Sequence, residues 1–536
     1  MKHKRLFLVI AAAAAVFAVG AAVGLPPLFI TSDRCLACHN GLTSPKGEDI
    51  SIGTDWRASM MANAARDPYW QASIRRETLA NPKIAAAAEH ECSACHMPMA
   101  RYQAKAAGGK GGVFVHLPVV PEAGPQAALA VDGVSCTLCH QIGPENLGRR
   151  ESFTAGFVVD TKTPAGARRV FGPYDIDQGR RTAMRSSSGF VPEKADHIRG
   201  SELCASCHTL FTHAYNDKGE VVGELPEQVP YLEWKHSAYN GKMACQACHM
   251  PPTRGKAPIS STLGQPREDS ARHVFRGGNF FMPNVFNLHR DELGLAAEPL
   301  ELAAVSSRTA EHLQAAAAKL TLGRAVLEDG RLLADATVAN LAGHKLPSAY
   351  PSRRVWVHFT VLDGRGSVVF ESGRFNPDGS IAGNDNDADP ARFEPHYSEI
   401  RTADQVQIYE PILGDPDNRV TTVLLAATQY LKDNRILPMG FDKTTAPSEV
   451  AVYGAAREDG DFEAGADRIR FNIPLGSTSG PYTVKAELWY QPISYRWGRN
   501  VEDRPSAESE RFAGYFKAMG GLSGIVLARA ETKVGS

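Results

Sequence analysis

The stretch Cys35-Leu36-Ala37-Cys38-His39 recurs four more times: Cys92-Ser93-Ala94-Cys95-His96, Cys136-Thr137-Leu138-Cys139-His140, Cys204-Ala205-Ser206-Cys207-His208 and Cys245-Gln246-Ala247-Cys248-His249. These five pentapeptides take up all ten cysteines, and a histidine follows each second cysteine although only 17 of the 536 residues are His. A disulfide scaffold gives no reason for that histidine. Zinc ribbons use two Cys-x-x-Cys pairs per metal, and five pairs do not divide into four-thiolate sites. Thioredoxin-like chemistry needs one such motif. The pattern reads as covalent attachment of haem c at five points: both thiols add to the porphyrin vinyl groups, and the adjacent His39, His96, His140, His208 or His249 serves as proximal iron ligand.

All five motifs lie between Cys35 and His249, which leaves roughly forty residues of chain per porphyrin, too few for five separate protein cores. The porphyrins must then supply much of the apolar interior and lie near one another. A haem whose sixth position holds a side chain exchanges electrons only, whereas an open position binds small molecules. Candidate sixth ligands are therefore decisive. His273, within Arg272-His273-Val274-Phe275-Arg276-Gly277-Gly278-Asn279, leads, because the glycines let backbone approach a flat macrocycle. His197, before the fourth motif, and His213, after it, follow. His90, His116, His344 and Met61 are weaker candidates. A Met thioether at position 61 would raise the reduction potential of its iron relative to histidine.

Composition limits the other functions. Lys plus Arg (58) nearly balance Asp plus Glu (59), so no global field favours nucleic acid. Lys2, Lys4 and Arg5 precede an uncharged run from Leu6 to Ser32, which reads as an export signal. Gly20-Ala21-Ala22 offers a cleavage site, yet the run is also long enough for an anchor, and both outcomes stay open. Either way the expected location is outside the cytoplasm, periplasmic or anchored to the cytoplasmic membrane and facing the periplasm.

Trp56 to Pro68, Asp132-Gly133-Val134-Ser135-Cys136, Cys204 through His213, and His273 with Gly277-Gly278-Asn279 resemble bacterial multihaem (pentahaem) cytochromes c. That group is distantly similar to the tetrahaem cytochrome c of ammonia oxidisers and to the hydroxylamine oxidoreductases. In those relatives Trp-x-x-Ser-x-His supplies a distal histidine; the matching positions here are Met61 and Tyr239. The resemblance covers nearly the whole exported chain.

After Asn287 the style of chain changes. Alanines dominate from Leu300 to Leu320, predicting a connecting helix. Val355, Val357, Phe359 and Val361 then alternate with other residues up to Asp363-Gly364-Arg365-Gly366, a hairpin signature, and further strands are expected over Val406–Tyr409, Val420–Ala426, Ile469–Ile473 and Tyr482–Tyr490. An all-β, immunoglobulin-like sandwich follows from that spacing. His358 belongs on a sheet face. His344, in the loop Gly343-His344-Lys345-Leu346-Pro347, could cap a haem across the domain interface. Asn384-Asp385-Asn386-Asp387-Ala388-Asp389 offers carboxylates that would suit Ca²⁺ but lacks the Gly and Glu of an EF-hand.

The expected fold class is multidomain: a leader or anchor over 1–31, a mostly α and irregular pentahaem domain over 32–298, a connecting helix over 299–320, the β-sandwich over 321–502, and a C-terminal helix and tail over 503–536. The expected function is electron transfer between redox partners in the cell envelope, such as quinol oxidase or dehydrogenase modules or other cytochromes. The alternative is an oxidoreductase with one open haem acting on a small nitrogen or sulfur compound. The sequence contains no Cys-x-x-Cys-Lys motif, which weighs against that alternative.

Overall fold

The computed structural model describes residues 27–535, so the basic leader and most of the uncharged run lie outside the described residues. The cysteine-bearing half consists of short helices joined by turns. The helix Pro68–Ala80 shows why they form: Asp67 accepts hydrogen bonds from the N–H groups of Tyr69 and Trp70, and Pro68 occupies the first helical position. The helix Ala85–His96 runs directly into the second motif, and the third and fifth motifs form the short helices Cys136–Cys139 and Cys245–His249. Three two-stranded ribbons lie between them, including Leu210–Tyr215 paired with Val221–Gln228. Among the described residues no helix is long and apolar enough to cross a membrane.

The second half holds two five-stranded sheets that face each other. One runs Val368–Ser372, Arg354–Leu362, Tyr482–Gln491, Ile525–Val534, with Ile408–Tyr409 also paired to Arg354–Leu362; the other runs Glu399–Ile400, Ala466–Pro474, Arg331–Asn340, Ala318–Leu322, with Val326–Glu328 also paired to Arg331–Asn340. The predicted hairpin forms, with Val361 opposite Phe370 and Gly366 at φ +81° in the turn. Phe359 of one sheet stacks on Phe471 of the other at 3.6 Å between ring centroids, so inward residues of both sheets meet in one interior. Burial alternates strictly along Arg331–Asn340, the period of two that a half-buried strand requires.

The structure moves three expected boundaries. Residues 27–31 belong to the folded body and not to a leader: Leu28 and Phe29 are buried, and the Leu28 N–H donates to Gln103 Oε1 at 2.7 Å. The connecting helix is Pro299–Ala316, and Ala318–Leu322 beyond it is already a sheet strand. The C-terminal tail is the strand Ile525–Val534, paired along Tyr482–Gln491, because its alternating residues extend the same sheet. Val420–Ala426 is also not one strand: Val420–Thr421 pairs and Leu424–Ala426 turns as a 3₁₀ helix.

The halves share a core. Phe281, Phe286, Leu302, Val355, Phe359, Phe512 and Phe516 fall in one continuous apolar cluster. Three consecutive residues of helix Pro68–Ala80 grip the far half. Arg75 makes two bonds to Glu508 at 3.1 and 2.8 Å, Arg76 two to Asp503 at 2.8 Å, and Glu77 accepts from the Leu424 N–H at 2.7 Å. Bidentate guanidinium–carboxylate pairs fix orientation as well as distance.

On the outer face of the first sheet, His358 bridges three strands, with Nε2 3.0 Å from Glu371 and Nδ1 3.3 Å from Glu487. Burial alone would lower its pKa, but the two carboxylates together outweigh burial and raise it. Arg529 bonds Glu487 as well, and Arg374 lies 4.0 Å from Glu371. Because the folded value exceeds the unfolded one, this clamp stabilises fully below about pH 6.5 and fades as pH rises through the folded value. In thermal melts the gap between wild type and His358→Gln is expected to be widest below about pH 6.5 and to close at higher pH; a gap that widens with pH would contradict the assignment.

Candidate haem-binding sites

Four motif imidazoles are held the same way. Nδ1 of His39 meets the Ile259 carbonyl at 2.6 Å, that of His96 the Ala64 carbonyl at 3.0 Å, that of His140 the Phe171 carbonyl at 2.6 Å, and that of His249 the Arg276 carbonyl at 2.6 Å. With Nδ1–H donated to backbone, the lone pair of the neutral ring sits on Nε2, the arrangement a metal-binding histidine needs. Trp70 stacks on the His96 ring at 4.2 Å and 3°, which fixes its plane. Burial lowers the pKa of His140 and carries His96 and His249 down to about 4, so these rings are neutral at ordinary pH.

Two of the motif rings face a second histidine. His140 and His273 stand 6.3 Å apart between ring centroids at 23°, and His249 and His344 stand 6.3 Å apart at 17°. Two metal–nitrogen bonds of about 2 Å and the near half of each ring span roughly 6 Å, so each gap is the width that an iron between two imidazoles requires. Burial brings His273 down to about 3. The Ala271 carbonyl opposes that shift without closing a hydrogen bond to Nδ1. His344 presents Nδ1 to the Lys345 carbonyl at 3.0 Å, which leaves its Nε2 as the acceptor.

The other candidate ligands are placed differently. His197 uses Nε2 on the Ile142 carbonyl at 2.8 Å and sets its ring edge against Phe171; it braces the third site and does not oppose a motif histidine. His213 is exposed, with Nδ1 2.9 Å from Glu91. His90 has both ring nitrogens in use, since Nδ1 accepts from the Gly111 N–H at 2.9 Å and Nε2 lies 3.3 Å from the Arg101 guanidinium. In this structure the expected ligands His197 and His90 therefore use these ring nitrogens on protein groups. His116 lies half-buried in the turn Phe114–His116. The Met61 carbonyl accepts from the Val134 N–H at 2.9 Å beside Gly133, where a Cβ would meet the Ala62 carbonyl at 2.5 Å. His312 was missed by the sequence reading. Burial carries its pKa down to about 4, with Arg276 and His344 adding to the shift, and its only sequence signal is one histidine in an alanine-rich helix.

The ten cysteines are free thiols in the structure. The Cys35 thiol is within hydrogen-bonding reach of Cys136, and Cys204 of Cys245. Burial pushes Cys139 up to about 12 and Cys207 up to about 11, while the Cys204 hydrogen bond draws Cys245 down to about 7. At Cys139 and Cys207 burial thus disfavours the thiolate.

The acidic loop does not fit Ca²⁺. Asp387 pairs with Arg354 at 2.8 and 3.0 Å, Asp385 pairs with Arg392 at 2.5 Å, and Asp389 accepts from the Ala391 N–H at 2.9 Å. Its carboxylates are already satisfied by arginine and backbone. Among the described residues one cluster does have ligand spacing, His396 with Asp459 and Asp467. Its tautomer opposes a metal: His396 Nδ1 accepts from the Gln407 and Asn434 amides at 2.9 and 3.1 Å, so the proton sits on Nε2, 3.2 Å from Asp459. Both amide orientations are set by the Tyr397 and Glu410 N–H groups they accept from.

Five Cys-x-x-Cys-His segments at or on helices are thus joined to two facing β-sheets in one fold. The structure aligns with the penta-heme cytochrome c552 from Thermochromatium tepidum at a TM-score of 0.50 and 15% identity, over 95% of this chain and 100% of that one. No protein-family model and no curated protein sequence matches the chain.

Proposed function

We propose that this chain is an exported c-type cytochrome with five covalent haems whose work is electron transfer between redox partners. The observation that carries this reading is the pair of facing imidazoles, His140 with His273 and His249 with His344, each 6.3 Å apart and nearly parallel. Bound haem supplies a one-electron iron couple. The residues do the rest. The cysteine pairs would hold each porphyrin, backbone carbonyls fix four of the motif imidazoles, and His273 and His344 would bind iron opposite His140 and His249.

Thiol proximity relates the motif segments. Cys35 lies within hydrogen-bonding reach of Cys136, the charge of Cys207 adds to the effect of burial on Cys139, and Cys204 lies within reach of Cys245. The segments therefore adjoin in the order first, third, fourth, fifth. The second site joins at the fourth, since Cys207 raises the pKa of Cys95 after burial itself.

A second reading, an oxidoreductase with one open iron, has one observation in its favour: His39, His96, His140 and His249 each donate Nδ1–H to a backbone carbonyl, and among the described residues His208 has no such bond.

Protein made with a working cytochrome maturation system should contain five haems per chain by pyridine haemochrome assay and intact mass; a zinc-bound or colourless product would refute the reading. His273→Ala and His344→Ala should each turn one iron high-spin in the EPR spectrum and allow it to bind CO, while His90→Ala leaves the spectrum unchanged. CO or NO binding by the wild-type protein would favour the open-iron reading.

A further inference from the structure

The helix Gln178–Ser188 buries none of its residues. A helix that is polar all round needs a reason to exist, and here it is mounted on the first motif. Arg180 Nε donates to the Leu263 carbonyl at 2.6 Å, and the Ser261 N–H and Oγ both bond the Cys38 carbonyl, at 2.8 and 3.0 Å. The Ile259 carbonyl in the same segment holds His39. One short loop therefore fixes the helix and the first site to each other.

This face is strongly cationic in a chain of net charge -1. Between Lys162 and Arg199 there are eight Lys and Arg against four Asp and Glu. Arg180, Arg169 and Lys194 are paired with Asp177, Glu193 and Asp175. Among the described residues Arg181, Arg185 and Arg199 have no carboxylate partner, although Arg185 Nε donates to the Gly166 carbonyl and Arg199 lies over the Tyr174 ring. Arg267 lies over the same ring at 4.9 Å. Planar guanidiniums held in this way are suited to forked recognition of carboxylates.

We propose that this face is the docking surface for an acidic redox protein, which exchanges electrons at the first site. The inference rests on the haem reading above and names the partner's chemistry. A membrane surface fits less well. Interfacial helices carry a broad apolar face, and Met184 is the only large apolar residue of this helix.

The test uses the haem-loaded protein, oxidised, with reduced flavodoxin as an acidic one-electron donor. One electron passes from the flavin to iron in each encounter. The double variant Arg181→Glu/Arg185→Glu should lower the second-order rate about ten-fold at low salt, the two rates should converge near 0.5 M salt, and the Arg→Lys double variant, which keeps the charge but loses the fork, should fall between them. An unchanged low-salt rate in the Glu variant would overturn the proposal. So would binding to vesicles of anionic phospholipid that the Glu variant loses without any change in electron transfer. Haem content and spectra of each variant separate these outcomes from failure of the haem reading, which would appear as colourless protein before any kinetics.

Discussion

An imidazole can hold a metal in a set direction only if its own orientation is fixed, and for four of the five motif histidines the hydrogen bond from Nδ1 to a backbone carbonyl does that. The acceptors come from far along the chain: Ile259 serves His39, Phe171 serves His140 and Arg276 serves His249. Each such bond ties a haem-attachment segment to a distant loop. The loops that supply the carbonyls thus become structural members, and the cysteine-bearing half can hold its shape with short helices and little regular sheet. The same bond fixes the tautomer, so orientation and ligand basicity are set together.

The β half has its own interior, yet it also completes the fifth site. His344 sits in the loop between Arg331–Asn340 and Arg354–Leu362, and that loop is locked to the cytochrome half by buried charge. Glu233, from the helix Pro230–Lys235, accepts from the Lys345 N–H at 3.1 Å and from Ser348 Oγ at 2.6 Å. Arg435 lies 2.9 Å from Glu233 and 2.8 Å from Asp433, and Lys345 Nζ donates to Asp433 at 2.6 Å. Two acids and two bases cancel. Burial would raise the Asp433 carboxyl, but Arg435 and Lys345 together hold it far below the ordinary carboxylate range. Removing one member would leave an uncompensated buried charge, typically a cost of about 3–5 kcal/mol. That stiffness keeps His344 facing His249.

The attachment motifs were legible in the sequence because their chemistry is local: five residues carry the whole signal. The hairpin at Asp363-Gly364-Arg365-Gly366 was legible for the same reason. His273 was found through its glycine neighbours. What positions His344 opposite His249 is a charge network assembled from residues 233, 345, 433 and 435, which no short window contains. Nearness of His197 and His90 to a motif in sequence says nothing of which ring nitrogen remains free. The carbonyls of Ile259, Ala64, Phe171 and Arg276 had no side-chain signal at all. The strand Ile525–Val534 was hidden behind a C-terminal helix, and pairing with Tyr482–Gln491 is a long-range fact.

The shared core explains why the β half is not a detachable accessory. Phe281 and Phe286 pack in the same cluster as Phe512 and Phe516, and Phe281 meets Phe516 edge-on at 6.2 Å. Phe281 follows His273 by eight residues and Phe516 lies just before the last strand, so the segment that brings His273 to His140 is seated on the C-terminal helix. The pair Arg75–Glu508 joins that helix to Pro68–Ala80, which carries Trp70 against His96. Three of the five motif histidines, His96, His140 and His249, thus depend on the second half for a stacking partner's support, an opposing ring's seat or the opposing ring itself. The Cys-x-x-Cys-His motifs mark the sites, but the cysteine-free half decides how several of them are finished.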